Sequence, residues 1–319
     1  MTAILDSNRL GVRAWIGSRE EQEDACEYSV APEEMATPDN ADIIVLADGM
    51  GGHAGGAEAA SVATYTALNY LEANLDQLDR SPGELLLAAL DNANRAVAEV
   101  SDSKPQLSGL GCTLVIAIAK SGVLRWVSVG DSPLWVYRSG DGIKRLNQDH
   151  SVAGELEALV KKGKISRDEA ESRGGRNVLR SAIMGNRIPL IDETYSEVGY
   201  RLQKGDIIVL ASDGILTLSE REIQAHVERD RSNAGQIANR LIQSVKDANL
   251  PRQDNTTIMA LHNSVSGASG IVDGVTEPGS RGRRLVNSWL SKTGLLTIAG
   301  LIALSAIAAC AGYLLRLSQ

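Results

Sequence analysis

The sequence predicts an α+β fold, and three observations lead to this fold class. Two runs rich in β-branched residues, ADIIVLADGM at 41–50 and GDIIVLASDGI at 205–215, are typical of strands shielded on both faces. Neighbouring strands are separated by short turns such as SGDG at 139–142, which indicates antiparallel pairing. The helical stretches come in separate blocks, which argues against a doubly wound parallel sheet.

The predicted elements follow one another within a single domain, residues 1–262. Apolar runs bounded by turn signals predict strands at 12–17, 43–47, 113–119, 124–129, 134–138, 195–198, 207–211 and 257–261. Helices are predicted at 57–74, 82–100, 152–161, 220–228 and 234–248.

Composition and charge describe a globular protein with an acidic body. The chain has 319 residues, of which 43% are hydrophobic, so it can bury a substantial core. The net charge is −8, and because the segment after residue 262 holds five basic and two acidic residues, the body carries −11. An acidic body argues against nucleic-acid binding. The three cysteines form no disulfide framework, which favours a reducing compartment.

The C-terminal part of the sequence predicts a membrane anchor. Residues 295–315, LLTIAGLIALSAIAACAGYLL, carry no charge and are long enough as a helix to cross a hydrocarbon core of roughly 30 Å. A buried core helix is the alternative, but a helix that is apolar on all sides favours a transmembrane helix. Residues 263–294 have the composition of a flexible linker and end in a basic juxtamembrane segment. Because basic flanks stay in the cytoplasm and no signal peptide is present, we expect a cytoplasmic body.

Acidic residues stand at the ends of several predicted strands. They are Asp48, Asp131 and Asp213 after strands, Asp254 directly before a strand, and the pair Glu23-Asp24 after the first strand. Each residue alone is explained by ordinary turn chemistry. Together they favour a metal site, because gathered carboxylates repel one another and suit hard divalent ions such as Mg²⁺ or Mn²⁺. The four histidines lack the spacing of a zinc site.

Seven short motifs follow one another in a fixed order along the body. They are Arg19-x-x-x-Glu23-Asp24, Asp48-Gly49-Met50-Gly51-Gly52-His53, Gly111-Cys112-Thr113, Gly130-Asp131-Ser132, Asp149-His150-Ser151, Ser212-Asp213-Gly214 and Asp254-Asn255. This ordered set resembles the metal-dependent Ser/Thr protein phosphatase family, type 2C (PPM), in its bacterial form. The resemblance covers residues 10–262, and the set is highly specific although each motif alone is weak. It implies a four-layer α-β-β-α sandwich of two antiparallel sheets flanked by helix pairs, with metal ions at one end.

The resemblance also implies which residues hold the two central ions. Asp48 would bridge both ions, and the Gly49 carbonyl would bind one of them. Asp213 and Asp254 would complete the coordination of the other ion. The two look-alike strands would thus each deliver one aspartate to a shared metal site.

Four further residues have an implied role around these ions. Glu23 and Asp24 would bind through coordinated waters. Asp131 would help Asp213 to hold a third ion. Arg19 would bind the substrate phosphate, a task that suits a bidentate guanidinium.

The implied reaction is hydrolysis of phosphoserine and phosphothreonine in proteins, with two or three Mn²⁺ or Mg²⁺ ions as cofactors. Two ions roughly 3.5–4 Å apart would lower the pKa of a bridging water, and the resulting hydroxide would attack phosphorus in line. Arg19, Asp48 and Asp213 are the expected catalytic residues. The substrates would be phosphorylated targets of a Ser/Thr kinase. With the predicted anchor, we expect a single-pass protein of a bacterial inner membrane with its catalytic domain in the cytoplasm.

The sequence departs from the family pattern at several positions. Met50 stands where many eukaryotic relatives carry a histidine proposed as general acid, and His53, which lies elsewhere, is expected to pack in a loop. Cys112 replaces the usual Ser or Thr. The stretch 149–185 corresponds to a flap that influences substrate choice, and its RGGRN at 173–177 lacks the His-Pro pair that is frequent there.

Two other functions compete with the phosphatase. GMGGHAGG at 49–56 resembles a phosphate-binding loop before a helix, but it lacks the Lys-Ser/Thr of a P-loop and the spacing of a dinucleotide fingerprint. An inactive scaffold or binding module of the same fold is the second alternative. The scaffold predicts lost ligand positions, whereas Arg19 and the four aspartates at strand ends are all present.

Overall fold

The structure is a computed structural model that describes residues 4–51, 54–107, 109–173, 175 and 178–264. Its strands are β1 Ile4–Asp6, β2 Leu10–Trp15, β3 Ala25–Ser29, β4 Asp42–Ala47, β5 Gly49–Met50, β6 Gly111–Cys112, β7 Leu114–Lys120, β8 Val123–Val129, β9 Leu134–Arg138, β10 Gly142–Arg145, β11 Tyr200–Arg201, β12 Ile207–Ala211 and β13 Thr256–His262. Its α-helices are α1 Ala54–Ala73, α2 Pro82–Ser103, α3 Val152–Lys161, α4 Arg167–Ser172, α5 Glu220–Arg229 and α6 Ala234–Ala248. Short 3₁₀ helices lie at Glu33–Met35, Leu75–Gln77, Pro105–Leu107 and Asp213–Thr217.

Two antiparallel sheets form the centre of the body. The first has the strand order β1-β2-β13-β12-β9-β10 and the second has β11-β8-β7-β4-β3, while β5 and β6 pair as a two-residue ladder. In the first sheet, Val209 of β12 lies opposite Ala260 on one side and Trp135 on the other. In the second sheet, β4 lies between β3 and β7. The two look-alike sequences are therefore interior strands of different sheets, and all residues of both strands are buried.

Three hydrophobic clusters show how the layers pack. One cluster joins the facing sides of the two sheets and includes Trp126, Val136 and Leu210. A second packs α1 and α2 on the outer face of the second sheet. A third packs α5 and α6 on the outer face of the first sheet. The layer order is α-β-β-α, as expected.

Local sequence signals set the ends of the helices. Ser219 and Glu222 form a reciprocal capping box at the start of α5. Pro82 stands in the first turn of α2, where its missing N–H leaves no intrahelical bond unmade. Asn249 ends α6 in the left-handed conformation, with φ 48°. Helix α1 instead depends on small side chains that allow close packing, and its fully buried alanines are Ala59, Ala60, Ala63 and Ala67.

One predicted strand is wrong. Residues 195–198 form a turn, because the Ser196 N–H donates to the Glu193 carbonyl and the Gly199 N–H donates to the Tyr195 carbonyl, both at 3.1 Å. Tyr195 stacks on Trp126 with ring centroids 4.8 Å apart, so this apolar residue packs against the core from a turn. The strand at that edge is the two-residue β11, which follows the turn.

The chain consists of a body and a tail. The chain divides into a unit Met1–Ser269, which contains all described residues, and a unit Gly270–Gln319. The predicted transmembrane helix at 295–315 and nearly all of the predicted linker at 263–294 lie outside the described residues. Among the helices that are described, none has both the length and the apolar character needed to span a bilayer.

Candidate functional site

The carboxylates predicted from the sequence lie together at one end of the sandwich. Asp48 follows β4, Asp213 follows β12 and Asp254 precedes β13. Asp131 lies between β8 and β9, and Asp24 precedes β3. In antiparallel sheets these strand ends meet at the same edge. The charges of the other four groups raise the pKa of Asp48, so the fold has brought all five within electrostatic reach of one another.

Asp24, a member of this group, has one oxygen without a hydrogen-bond partner. Its Oδ2 accepts a hydrogen bond from the Ser212 hydroxyl at 2.8 Å. The same Ser212 oxygen accepts from the Thr257 N–H at 2.9 Å, which fixes the hydroxyl between β12 and β13. Asp24 Oδ1 is buried and has no hydrogen-bond partner. A buried, unpaired carboxylate oxygen is costly unless a cation or water meets it.

Asp48 is held by its backbone, which leaves its side chain for other partners. The Asp48 N–H donates to Thr113 Oγ1 at 2.9 Å, and the Thr113 N–H donates to the Asp48 carbonyl at 2.8 Å. Thr113 Oγ1 also lies 2.8 Å from Ser132 Oγ, next to Asp131. The Asp48 side chain lies close enough to that of Asp213 to affect the pKa of Asp213.

Arg19, the predicted phosphate-binding residue, contacts a predicted metal ligand. Its Nη2 lies 2.5 Å from Asp254 Oδ2. The Arg19 side chain is 54% exposed and that of Asp254 is 40% exposed, so the pair faces solvent at the mouth of the site. Asp254 Oδ1 accepts from the Asn255 N–H at 2.8 Å. Arg19 is thus within reach of both the carboxylates and an incoming anion.

Glu23 and Gly49 are placed by a close approach of three backbones. The Gly49 N–H donates to the Glu23 carbonyl at 3.1 Å. A Cβ on Gly49 would collide with the backbone carbonyls of Glu23 and Gly56, so only glycine fits there. The Glu23 carboxylate approaches Gly56 in the first turn of α1, where the helix dipole favours a negative charge.

Burial and mutual repulsion disfavour the ionised forms of these carboxylates. Burial, followed by the charges of Asp213 and Asp254, raises the pKa of Asp24 to about 7 against the hydrogen bonds from Ser212 and Thr257. Burial and the charge of Asp213 raise the pKa of Asp131 to about 7 as well. Burial raises the pKa of Asp48 well above its ordinary value, and neighbouring aspartates add to this shift.

The residues fit a divalent cation in their chemistry and their position. The donors are carboxylate and carbonyl oxygens, which Mg²⁺ and Mn²⁺ prefer, and a cation would meet the unpaired oxygen of Asp24 and offset the repulsion. In the described part of the chain, no three His, Cys, Asp or Glu side chains are arranged to hold an ion as they stand. Arg19 Nη2 contacts Asp254 Oδ2, an oxygen that an ion would need.

Two residues that position the site were given no role from the sequence. Asn255 is buried, and its Oδ1 accepts from the Glu23 N–H at 2.8 Å while its Nδ2 donates to the Ile16 carbonyl at 2.8 Å, so it shapes the 16–23 loop. Arg145 donates from Nη2 to the Asp131 carbonyl at 2.7 Å. Asn255 belongs to a quoted motif, but Arg145 gave no sequence signal because it acts on a backbone group.

The remaining sequence predictions have mixed outcomes. Cys112 is fully buried in β6 and burial raises the pKa of its thiol, which agrees with a packing role. Met50 is in β5, directly after Gly49. His53 lies outside the described residues, and so do three residues of the RGGRN stretch, so the predictions for both remain untested.

Comparisons with known proteins give the family. The family model "Protein phosphatase 2C" matches residues 16–234. The Ser/Thr protein phosphatase PstP of Mycobacterium tuberculosis (strain CDC 1551 / Oshkosh) is 34% identical over 178 residues, which cover 54% of this chain and 31% of that protein. The Ser/Thr phosphatase stp of Listeria monocytogenes serotype 4b (strain F2365) is 25% identical over 229 residues, 72% of this chain and 87% of that protein. The match thus spans about a third of the length of PstP, but most of the length of stp.

A solved structure agrees with the fold and with the metal chemistry. The catalytic domain of PstP, described as a complex with two manganese ions, aligns with a TM-score of 0.62 and 25% identity over 80% of this chain and 97% of that one. The fold and the set of strand-end carboxylates therefore define a metal-dependent phosphatase architecture. This chain belongs to the protein phosphatase 2C family.

Proposed function

We propose that this protein is a Ser/Thr protein phosphatase that uses two or three Mn²⁺ or Mg²⁺ ions to hydrolyse phosphoserine and phosphothreonine in proteins. The observation that carries the proposal is the gathering of five aspartates, one of which, Asp24, has a buried carboxylate oxygen without a hydrogen-bond partner. Bound divalent ions supply a water of lowered pKa as nucleophile and neutralise the charge that develops on the phosphoryl group.

Each residue of the site has a task in this proposal. Asp48, the Gly49 carbonyl, Asp213 and Asp254 hold the two central ions. Glu23 and Asp24 bind their waters, and Asp131 shares a third ion with Asp213; these assignments rest on the motif order and on the placement of the side chains at one edge.

Arg19 has the task of binding the substrate phosphate. In the structure it contacts Asp254, and because Asp254 is then needed as a ligand, ion binding would free the guanidinium to turn to the phosphate. A planar guanidinium binds two phosphate oxygens at once, which orients phosphorus for in-line attack.

The first prediction is that the protein hydrolyses a small aryl phosphate only in the presence of a divalent metal. The measurement is the steady-state rate of the full chain in mild detergent, with Mn²⁺, with Mg²⁺, and after treatment with a chelator. We expect activity with either ion, loss of activity with the chelator, and recovery when Mn²⁺ is restored. Activity that survives complete removal of metal would rule out the proposed chemistry.

We also propose that the body is anchored in a bacterial inner membrane and opposes a Ser/Thr kinase in the cytoplasm. The support is the charge-free run at 295–315 with its basic flank, together with the bacterial origin of the relatives. The second prediction is that the full chain stays with membranes in alkaline carbonate, whereas a chain that ends at Gly279 does not. Release of the full chain by carbonate would contradict the anchor, and protection of the body from cytoplasmic protease would contradict the orientation.

A further inference from the structure

Two methionine side chains converge beside the carboxylates. Met50 of β5 lies opposite Gly111 of β6. A Cβ built on Gly111 would lie 2.9 Å from Met184 Cγ and 3.1 Å from Met50 Cε, so both methionines pack over this glycine. Any side chain at position 111 would displace them. We call the surface formed by Met50, Gly111 and Met184 the methionine patch.

The patch is partly exposed, and its backbone is firmly held. Met184 is 37% exposed, whereas Met50 is half-buried and Gly111 is buried. Directly before it, Ile183 exchanges two backbone hydrogen bonds with Cys112, at 2.8 and 3.0 Å. Directly after it, the Gly185 N–H donates to Asn94 Oδ1 at 2.9 Å. Met184 therefore presents a partly exposed apolar side chain at a fixed position, and covering it would be favourable.

One member of the methionine patch, Met50, lies close to Asp48 in the sequence, which indicates the kind of partner that the patch binds. Met50 follows Asp48 by two residues, which is about 7 Å of extended chain. A protein whose phosphorylated residue reaches Asp48 and Arg19 can therefore place a neighbouring residue over Met50 and Met184. Thioether side chains are flexible and polarisable, and they accept apolar partners of different shapes.

We propose that the methionine patch is a substrate subsite that binds an apolar side chain next to the phosphorylated serine or threonine. The proposal rests on the proposed phosphatase function and adds a preference to it. The patch contributes to recognition and leaves the reaction at phosphorus unchanged, so it affects the KM of an extended substrate more than kcat. A small aryl phosphate, which has no flanking residue, does not report it.

The third prediction is tested with phosphopeptides that carry leucine in place of serine at one of the positions −2, −1, +1 or +2. For the parent protein, we expect leucine at one of these positions to raise kcat/KM by about five- to tenfold, the effect of partly burying one such side chain. Met184→Gln should abolish this preference and Met184→Leu should retain it. All three proteins should hydrolyse aryl phosphate equally.

The control is Val198→Gln, which removes a 61% exposed apolar side chain from the turn beside the start of β8, remote from the carboxylates. This variant should keep the leucine preference. A parent protein without any preference, or a preference that survives Met184→Gln, would overturn the proposal.

Binding and turnover are measured separately, so that failure of the subsite and failure of the phosphatase can be told apart. Fluorescence anisotropy with non-hydrolysable phosphonate versions of the same peptides reports the patch even without turnover. Tighter binding of the leucine peptide that is lost in Met184→Gln supports the subsite. Equal binding of both peptides contradicts it, whatever the aryl phosphate assay shows.

Discussion

Asp213 is a metal ligand in the proposed chemistry, and its surroundings also raise its pKa. It follows β12 and lies near Asp48, and its pKa is raised first by burial and then by the charge of Asp254. In the proposal it holds one central ion and the third ion. Its negative charge is therefore unfavourable in the metal-free protein and needed when metal binds.

The fourth prediction is that Asp213→Asn separates these two effects. Asparagine keeps the size and one carbonyl ligand but removes the charge, so turnover at limiting Mn²⁺ should fall by at least about 100-fold. Repulsion on Asp48, Asp131 and Asp254 decreases, so the melting temperature without metal should stay equal or rise. Turnover, Mn²⁺ titration calorimetry and melting in chelator measure these effects. Near-parental turnover would exclude Asp213 from the site, and a collapsed melting temperature would make it a structural turn residue.

The sequence predicts residues that act through their own side-chain chemistry better than residues that act through a backbone group. Asp48, Asp131 and Asp213 stand in recognisable motifs after apolar strands, and the structure places them together. Arg145 and Asn255 act on the Asp131 carbonyl and on the Glu23 N–H. Those partners become visible only once loops distant in sequence are adjacent in space. The Arg19–Asp254 pair was equally hidden, because 235 positions separate its members.

At the scale of elements, prediction succeeds where burial imposes a clear pattern. The two amphipathic helices α3 and α6 begin and end at the predicted residues, and β12 has the predicted bounds. The edge strands β1, β3 and β10 were not predicted, because one-sided pairing leaves them short or weakly patterned. Strands β5 and β6 have two residues each, which is too short for a hydrophobic periodicity to be recognised. Each strand contains a glycine that allows close backbone contact.

Tertiary contacts override the strand-like pattern of residues 195–198. Tyr195 stacks on Trp126, whose indole N–H donates to Asp192 Oδ2 at 3.1 Å. The Asp192 carboxylate also accepts from the Gln148 N–H at 3.0 Å, and the Thr194 hydroxyl donates to it at 2.7 Å. One buried carboxylate therefore connects the turn at 194–198 to β8 and to Gln148.

An ion pair joins the two sheets at the end opposite the carboxylates. Arg9, just before β2, pairs with Asp42 at the start of β4, and both are buried. Burial raises the pKa of Asp42 against the opposing effect of the Arg9 charge. Arg9 Nε and Asp42 Oδ1 have no hydrogen-bond partner. Because desolvation offsets much of the attraction, the pair contributes more to the alignment of the sheets than to the free energy of unfolding.

For the whole molecule, the sequence alone predicts the α+β class, whereas the layer order came from the resemblance. Composition and strand signals do not say which sheet each strand joins. The look-alike strands β4 and β12 show why: both have the sequence Ile-Ile-Val-Leu-Ala, yet they lie in different sheets. Their assignment depends on long-range pairing, which leaves no local trace in a buried strand.

The clustered carboxylates also determine how the stability of the whole body depends on pH. In the metal-free protein the folded state keeps protons on Asp24 and Asp131 up to a pKa of about 7, whereas the unfolded chain releases them near the ordinary value of 3.8. The folded state thus binds more protons between these values, and the free energy of unfolding falls as pH rises. Burial lowers the pKa of His150, His226 and His262, which acts in the opposite direction below about 6.5.

The fifth prediction isolates the carboxylate contribution with Asp131→Asn, because the contribution of the histidines is common to both proteins. Between pH 5 and pH 7.5 in chelator, the melting temperature of the parent should fall by several degrees, roughly, relative to that of the variant. With Mn²⁺ the direction should reverse, since the ion binds deprotonated carboxylates and its stabilisation grows with pH. Differential scanning fluorimetry of both proteins across this range, with and without Mn²⁺, makes the comparison. Parallel pH profiles for the parent and Asp131→Asn in chelator would show that Asp131 does not hold its proton in the folded protein.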